Sequence, residues 1–168
     1  MEEPIERAAR ALADSYYAIA LTGAGISTES GISDFRGPSG IWTKSPEAER
    51  KAYQGYPRFL KDPKGWWGER LASAGPSLFG DMESVMTNPG HYALAALEKL
   101  GILKCVITQN VDALHAKAGT QYLFEYHGSM LKLRCISCES RFGRDEFDLE
   151  ELRLENRLPP TVRRVEEW

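Results

Sequence analysis

The sequence contains few cysteines, no long apolar run and no excess of basic residues. Its three cysteines are an odd number, which does not make the disulfide framework of small secreted proteins. The longest apolar runs are far shorter than the ~18 residues of a membrane-spanning helix. Residues 1–15 are mixed and acidic, without the apolar segment of a signal peptide. We therefore expect a cytoplasmic protein that makes no contact with a membrane.

Composition places the chain among ordinary globular proteins. Apolar residues make up 42% of the 168, enough to form a core, and charged residues make up 27%. This length fits one domain, with room for a small additional module. Dedicated nucleic-acid binders carry a basic excess, whereas the formal net charge here is −3. Direct nucleic-acid binding is therefore not indicated.

Hydrophobic periodicity predicts helices and strands in the first half of the chain. Apolar residues at helical spacing predict a helix over residues 5–12, and the continuous apolar run Tyr17–Leu21 predicts a buried strand. Residues 23–46 are rich in Gly, Ser and Pro and predict a long ordered loop. Residues 47–87 predict helical pieces that carry a cluster of aromatic residues.

The second half repeats this alternation. Asn88 and Pro89 are typical of an N-cap and a first helical residue, and Gly101 is typical of a helix stop. The further elements predicted are a strand at Leu103–Thr108, a short helix at Val111–Ala118, a strand at Tyr122–Tyr126 and a charged helix at Arg144–Arg157. Strands that alternate with helices favour an α/β layered fold.

A glycine-rich segment follows the first predicted strand. Gly23, Ala24 and Gly25 stand where backbone can approach a dinucleotide pyrophosphate. The usual fingerprint has a third glycine where Thr28 stands. Taken alone, the segment is equally compatible with a plain tight turn.

Polar residues follow the second and third predicted strands. Gln109, Asn110 and Asp112 come directly after the second strand and offer donors and acceptors for ribose hydroxyls and a carboxamide. His127 follows the third strand and is of a type that accepts a hydroxyl proton near neutral pH. A lone histidine is more often structural than catalytic, and we expect a structural role for His91 and for His115.

Longer strings around these residues match one family. GAGISTESGISDFR (23–36), TQNVDALHAKAG (108–119) and the spaced pair His127-Gly128 resemble the sirtuin family of NAD-dependent protein deacylases. The resemblance covers roughly residues 5–160. The family usually has proline where Ser33 stands and commonly has glycine near Ala113.

The resemblance implies a fold and a domain division. It implies an α/β fold with a Rossmann-like parallel sheet, incomplete here because the later strands are missing, and a small inserted zinc-binding module. Residues 1–134 would be the N-terminal part of the NAD-binding domain, including a helical insert. Residues 135–168 would be a partial, truncated zinc-ribbon module.

The resemblance also implies NAD as cofactor and a role for each motif residue. Ala24 and neighbouring backbone would meet the phosphates, Phe35 would lie near the nicotinamide, and His127 would be the catalytic base. The implied cofactor-binding residues are Gly23, Ala24, Gly25, Ser27, Asp34, Phe35, Arg36, Gln109, Asn110 and Asp112.

The implied activity is deacetylation of lysine in an acetylated protein or peptide, with release of nicotinamide and acetyl-ADP-ribose. Acetyl is favoured over acidic acyl groups because Trp67 stands where desuccinylase-like members have tyrosine, three residues before Arg70. Two alternatives stay open. One is a non-catalytic sirtuin remnant or NAD-binding interaction fragment. The other is NAD glycohydrolysis or ADP-ribosyl transfer in the same pocket.

Half of a zinc site is visible. Cys135 and Cys138 form one knuckle, but structural zinc takes four ligands. Val162 and Val165 have the spacing of the second pair that sirtuins carry, and Cys105 lies in a predicted buried strand. We therefore expect weak zinc affinity.

Overall fold

The computed structural model describes residues 3–72, 84–143, 146 and 162–165. Two separate sheets form within these ranges, one parallel and one antiparallel. No helix in the described ranges combines the length and apolar character that crossing a bilayer requires.

The first sheet has three parallel strands in the order β1 (Ala18–Thr22), β2 (Leu103–Thr108) and β3 (Leu123–Glu125). Each strand coincides with a short apolar run, which is typical of strands in a parallel sheet. The predicted α/β fold with a Rossmann-like parallel sheet is confirmed.

Helices cover one face of this sheet. Helices α1 (Pro4–Ala13) and α5 (Pro89–Lys99) contribute Leu12, Leu94 and Leu97 to a cluster around the sheet residues Ala18, Leu103 and Val106. The opposite face has no such cover among the described residues. There the side chains of Ile19, Leu21 and Phe124 are 51%, 69% and 61% exposed.

Capping fixes the position of α5. The Asn88 side chain accepts from the N–H of Gly90 at 2.9 Å, and the His91 side chain accepts from the N–H of Asn88 at 3.3 Å. Leu100 is the C-cap, and Gly101 follows in the left-handed region at φ 76°. The predicted start and stop of this helix are confirmed.

The predicted long loop at 23–46 is wrong in part. It contains a 3-10 helix, Ala24–Ser30, and the short helix α2, Ile41–Lys44. The Thr28 hydroxyl donates to the Gly25 carbonyl at 2.9 Å, and Gly31 ends the turn at φ 86°. Local hydrogen bonds of this kind let a Gly- and Ser-rich segment form tight helical turns.

Helix α6 (Leu114–Lys117) is shorter than predicted. Ala113 adopts the left-handed conformation at φ 61°, and an Asp112 oxygen accepts from the N–H of Leu114 at 3.0 Å. A residue with positive φ does not continue a right-handed helix. The helix therefore begins only at Leu114, and 111–113 belong to the loop after β2.

Helices α3 (Pro46–Lys61) and α4 (Pro63–Ala72) form the predicted helical insert. They contribute Phe59 and Trp67 to a second core, with Leu133 from the antiparallel sheet. All three side chains are at most 2% exposed.

The antiparallel sheet was not predicted. Its order is β5 (Arg141–Gly143), β4 (Ser129–Cys135) and β6 (Val162–Val165). The predicted boundary between residues 1–134 and 135–168 falls inside β4. The division into these two parts stays a prediction. Of the predicted charged helix at 144–157, all but Glu146 lies outside the described residues.

Candidate functional site

The three sequence motifs meet at one edge of the parallel sheet. The 3-10 helix follows β1, Gln109–Asp112 follow β2, and His127 lies two residues beyond β3. Because the strands are parallel, their carboxyl ends lie side by side. Such an edge is where open α/β sheets bind ligands.

A buried hydrogen-bond network joins the first two motifs. The Ser27 hydroxyl donates to Asp112 Oδ2 at 2.7 Å. Asn110 Nδ2 donates to Ser27 Oγ at 3.0 Å and to the carbonyl of Gly23 at 3.1 Å. Ser27 and Asp112 are 0% and 8% exposed. The glycine loop is therefore held directly against the residues that follow β2.

The backbone ends of β1 and β2 are joined as well. The N–H of Gln109 donates to the Thr22 carbonyl at 3.0 Å, while the Gln109 side chain stays exposed. An added Cβ on Gly23 would stand 3.8 Å from Gln109 Nε2, and no atom lies within 4 Å of the same point on Gly25. The backbone beside Ala24 is thus open to a ligand, as binding a dinucleotide phosphate requires.

Two buried histidines lie behind the network. Thr22 Oγ1 and His115 Nε2 are 2.9 Å apart, and the rings of His91 and His115 pack edge to face with centroids 4.9 Å apart. Burial lowers the pKa of His115 to about 4, with a further lowering by His91 that Asp112 opposes. Burial also lowers the pKa of His91. Both rings are therefore neutral at pH 7.

The pairing of these histidines escaped the sequence reading, which treated His91 and His115 separately. Their structural character agrees with the interpretation. His91 Nε2 and His115 Nδ1 have no hydrogen-bond partner within the ranges that the structure describes. The sequence indicated a structural role for each histidine but gave no signal that the two rings touch.

A second cluster of contacts joins the loop of Asp34, Phe35 and Arg36 to α2 and α3. The Phe35 and Trp42 rings have centroids 4.5 Å apart. The Arg36 guanidinium lies 4.6 Å from the Trp42 ring centroid and donates to Glu49 at 2.9 Å and to Tyr53 at 3.2 Å. The hydrogen bond to Glu49 raises the pKa of Arg36. The loop at 34–36, which the resemblance implies to be cofactor-binding, is therefore attached to the helical insert.

The close approach at Gly40 shapes this loop. A Cβ on Gly40 would stand 2.5 Å from the Phe35 carbonyl oxygen, which is too close for any side chain. The N–H groups of Ile41 and Trp42 donate to the carbonyls of Asp34 and Phe35, each at 2.9 Å. Residues 34–42 therefore fold back on themselves and present Phe35 and Arg36 together.

His127 is half-buried in a turn after β3. The N–H of Gly128 donates to the Glu125 carbonyl at 3.0 Å, and Gly128 has φ 82°. The His127 ring packs against the Tyr126 ring with centroids 5.0 Å apart. Three residues after His127, the N–H of Met130 donates to the Val111 carbonyl at 2.8 Å, which ties this turn to the loop after β2.

Cys135 ends β4, and Cys138 is exposed in the turn that follows. Nowhere in the described ranges do three or more potential metal ligands come together.

Comparison with known proteins decides the family. The model of the Sir2 family matches residues 23–162, from the glycine loop to β6. The chain belongs to the Sir2 family. The resemblance to sirtuins is thereby confirmed.

Archaeal relatives of this Sir2-family chain are named as NAD-dependent enzymes. The NAD-dependent protein deacylase 2 of Archaeoglobus fulgidus is 44% identical over 147 residues, which are 88% of this chain and 54% of that protein. The NAD-dependent protein deacetylase of Sulfurisphaera tokodaii is 48% identical over 151 residues, 89% of this chain and 55% of that protein. The chain thus spans about half the length of these curated relatives.

Solved Sir2 structures have the same fold. A Sir2 enzyme solved to explain the mechanism and regulation of the family superposes with a TM-score of 0.68 at 37% identity, over 98% of this chain and 64% of the other. A Sir2–p53 peptide–NAD+ complex superposes with a TM-score of 0.69 at 30% identity, over 97% and 63% of the two chains.

Proposed function

We propose that the chain carries the nicotinamide-binding and catalytic part of an NAD-dependent protein lysine deacetylase. The observation that carries the proposal is the buried Ser27–Asp112–Asn110 network, which stands beside an open glycine loop at the ligand-binding edge of the sheet. The names of the archaeal relatives support NAD as the cosubstrate and acyl-lysine protein as the substrate.

The residues present fit NAD. The open backbone at Ala24 and Gly25 suits its phosphates, and the exposed Gln109 suits a ribose hydroxyl. An amide and a carboxylate side by side, from Asn110 and Asp112, suit the donor and acceptor of the carboxamide. When bound, NAD supplies a ribose carbon that becomes electrophilic as its nicotinamide bond breaks.

The chain's own residues then hold groups and move one proton. Ser27 keeps the Asp112 carboxylate oriented, so that Asp112 and Asn110 hold the carboxamide in one geometry. Asp34, Phe35 and Arg36 would contact the cofactor from the loop attached to α3. His127 would accept a proton from a ribose hydroxyl, so that this hydroxyl could take up the acetyl group. With one water molecule consumed, the products would be nicotinamide, lysine and acetyl-ADP-ribose.

The test is NAD-dependent turnover of an acetyl-lysine peptide, followed as nicotinamide and acetyl-ADP-ribose. We expect His127→Ala to lower turnover by about 10²–10⁴-fold, the usual contribution of a general base, and to leave NAD binding intact. Tyr126→Phe is the matched control, since it preserves the ring beside His127 and should retain turnover. Folded wild-type protein that neither binds NAD nor turns over peptide would overturn the proposal.

One observation favours a second candidate, a non-catalytic NAD-binding fragment. Among the described residues, one face of the parallel sheet is exposed at Ile19, Leu21 and Phe124. NAD binding by the folded chain without peptide turnover would support this candidate. Nicotinamide release without any peptide would instead support NAD glycohydrolysis.

We also place the protein in the cytoplasm. No disulfide joins the three cysteines, which is usual where thiols are kept reduced. Acetylated-lysine protein is the partner that follows from the proposed activity.

A further inference from the structure

The antiparallel sheet lacks the ligands that a structural zinc ion requires. Such an ion takes four ligands, usually sulfur or imidazole nitrogen. Apart from Cys135 and Cys138, the chain has one cysteine and three histidines. These four residues lie elsewhere in the fold. Cys105 is in β2, His91 and His115 pack against each other, and His127 follows β3. After Cys138 the sequence contains neither residue type.

The strand pairing does not supply a replacement. In the register of β4 and β6, the residue opposite Cys135 is Val162. Valine has no atom that can bind a metal. Within these 168 residues, the pair Cys135 and Cys138 therefore does not fit a structural zinc site.

Hydrogen bonds close the cysteine turn without a metal. The N–H of Cys135 donates to the Ser140 carbonyl, and the N–H of Glu139 donates to the Cys135 carbonyl, each at 2.9 Å. Glu139 adopts φ 61°, and its carboxylate accepts from Arg134 at 3.0 Å. The turn between β4 and β5 thus has its own backbone closure and one partly exposed ion pair.

An apolar core anchors the sheet to the helical insert. Leu133, in the middle of β4, is 0% exposed and packs with Phe59 and Trp67. Ile136, between the two cysteines, and Phe142, in β5, pack against the same cluster. Burial of this kind is what a metal normally replaces in small modules with too little core.

We propose that the β4–β5–β6 sheet folds without zinc, held by strand pairing and by the Phe59–Trp67–Leu133 core. Cys135 and Cys138 are then two thiols at the end of the sheet that bind no metal and form no disulfide. Cys138 is exposed and has its sulfur 3.2 Å from the Ser140 hydroxyl, while Cys135 is half-buried. This inference is independent of the proposed catalytic function.

Metal content and thiol reactivity of the full chain test the proposal. We expect zinc well below one ion per chain after purification, and a thermal midpoint that changes by less than about 2 °C on adding EDTA. A colorimetric disulfide reagent should modify Cys138 and Cys135 in the native protein at the same rate with and without EDTA. A bound zinc ion would protect both thiolates until the chelator removed it.

Two variants distinguish stabilisation by a bound metal from stabilisation by the apolar core. Cys135→Ser/Cys138→Ser should unfold within about 2 °C of wild type, whereas Leu133→Ala should lower the midpoint by about 5 °C or more through loss of packing. One zinc ion per chain, with a midpoint that falls by several degrees in EDTA, would overturn the proposal. One ion per two chains, lost together with a dimer, would overturn it equally, because four cysteines from two copies would then form the site.

Discussion

At the scale of single residues, the site depends on side chains that sequence distance separates widely. Ser27 and Asp112 are 85 positions apart, yet their hydrogen bond is buried and 2.7 Å long. Both residues stand in motifs, so the sequence indicated that each is functional. Their direct contact follows only from the parallel pairing of β1 with β2, which brings the two loops together.

The first prediction concerns this bond. Ser27→Ala should lower the free energy of unfolding by ~1–3 kcal/mol, because it leaves a buried carboxylate oxygen without its donor. Thr28→Ala is the control: it removes an exposed hydrogen bond to the Gly25 carbonyl and should cost about 0.5 kcal/mol. Urea unfolding measures both. Equal costs for the two variants would contradict a buried bond between Ser27 and Asp112.

The second prediction concerns pH. The folded-state pKa of His115 is about 4, against 6.5 for the free side chain. Between these two pH values, the unfolded chain binds a proton at this residue and the folded chain does not. Its contribution to stability is present above pH 6.5 and is lost as pH falls toward 4. The full loss is ~3 kcal/mol.

Unfolding by urea at pH 7 and at pH 5 measures this slope. His115→Gln should flatten it, because glutamine does not titrate. A variant with the same pH 5–7 slope as wild type would show that other groups cause the acid sensitivity.

At the scale of elements, the predictions were correct where cap residues or continuous apolar runs marked an element. They failed where polar residues interrupted the apolar pattern. The cap residues Asn88, Pro89 and Gly101 located α5, and apolar runs located all three parallel strands. Strand β4 was missed because Lys132 and Arg134 interrupt its apolar residues, and its burial depends on a core formed with distant helices. The 3-10 helix was missed because glycine and serine composition does not separate a tight helical turn from a loop.

The third prediction concerns the loop that carries Phe35 and Arg36. Gly40→Ala should lower the free energy of unfolding by ~1–3 kcal/mol, since its Cβ would strike the Phe35 backbone at 2.5 Å. Gly55→Ala is the matched control inside α3, where no atom lies within 4 Å of the new methyl group. The control should raise stability by about 0.5–1 kcal/mol through higher helix propensity.

Thermal unfolding and limited proteolysis at 34–42 follow the two glycine variants. Faster cleavage in Gly40→Ala alone is the expected result. A Gly40→Ala protein as stable and as resistant as Gly55→Ala would show that the close approach does not exist in solution.

At the scale of the whole molecule, the two faces of the parallel sheet differ in exposure. Leu103 is 3% exposed beneath α5, whereas Leu21 on the other face is 69% exposed. Parallel sheets normally bury both faces. The sequence predicted an incomplete sheet, but it did not predict which face would stay open. That face depends on the side to which the connecting helices return, and hydrophobic periodicity does not report this side.

The fourth prediction follows from this difference. Leu103→Ala should cost ~2–5 kcal/mol of unfolding free energy, as deletions in a packed core do. Leu21→Lys should change it by less than about 0.5 kcal/mol, because the position is exposed. Urea unfolding compares the two. A large cost for Leu21→Lys would mean that this face is covered in solution.

The long interval between β1 and β2 also sets the order of events during synthesis. Strand β1 ends at Thr22, and its partner begins only at Leu103. At ~5–20 residues per second, a ribosome needs on the order of 5–20 s to progress from Ser27 to Asp112. Non-local pairing of this kind is slow to form even in a complete chain. The glycine loop therefore emerges well before any partner that could order it, and translation speed bounds how early the contacts of Ser27 with Asn110 and Asp112 can form.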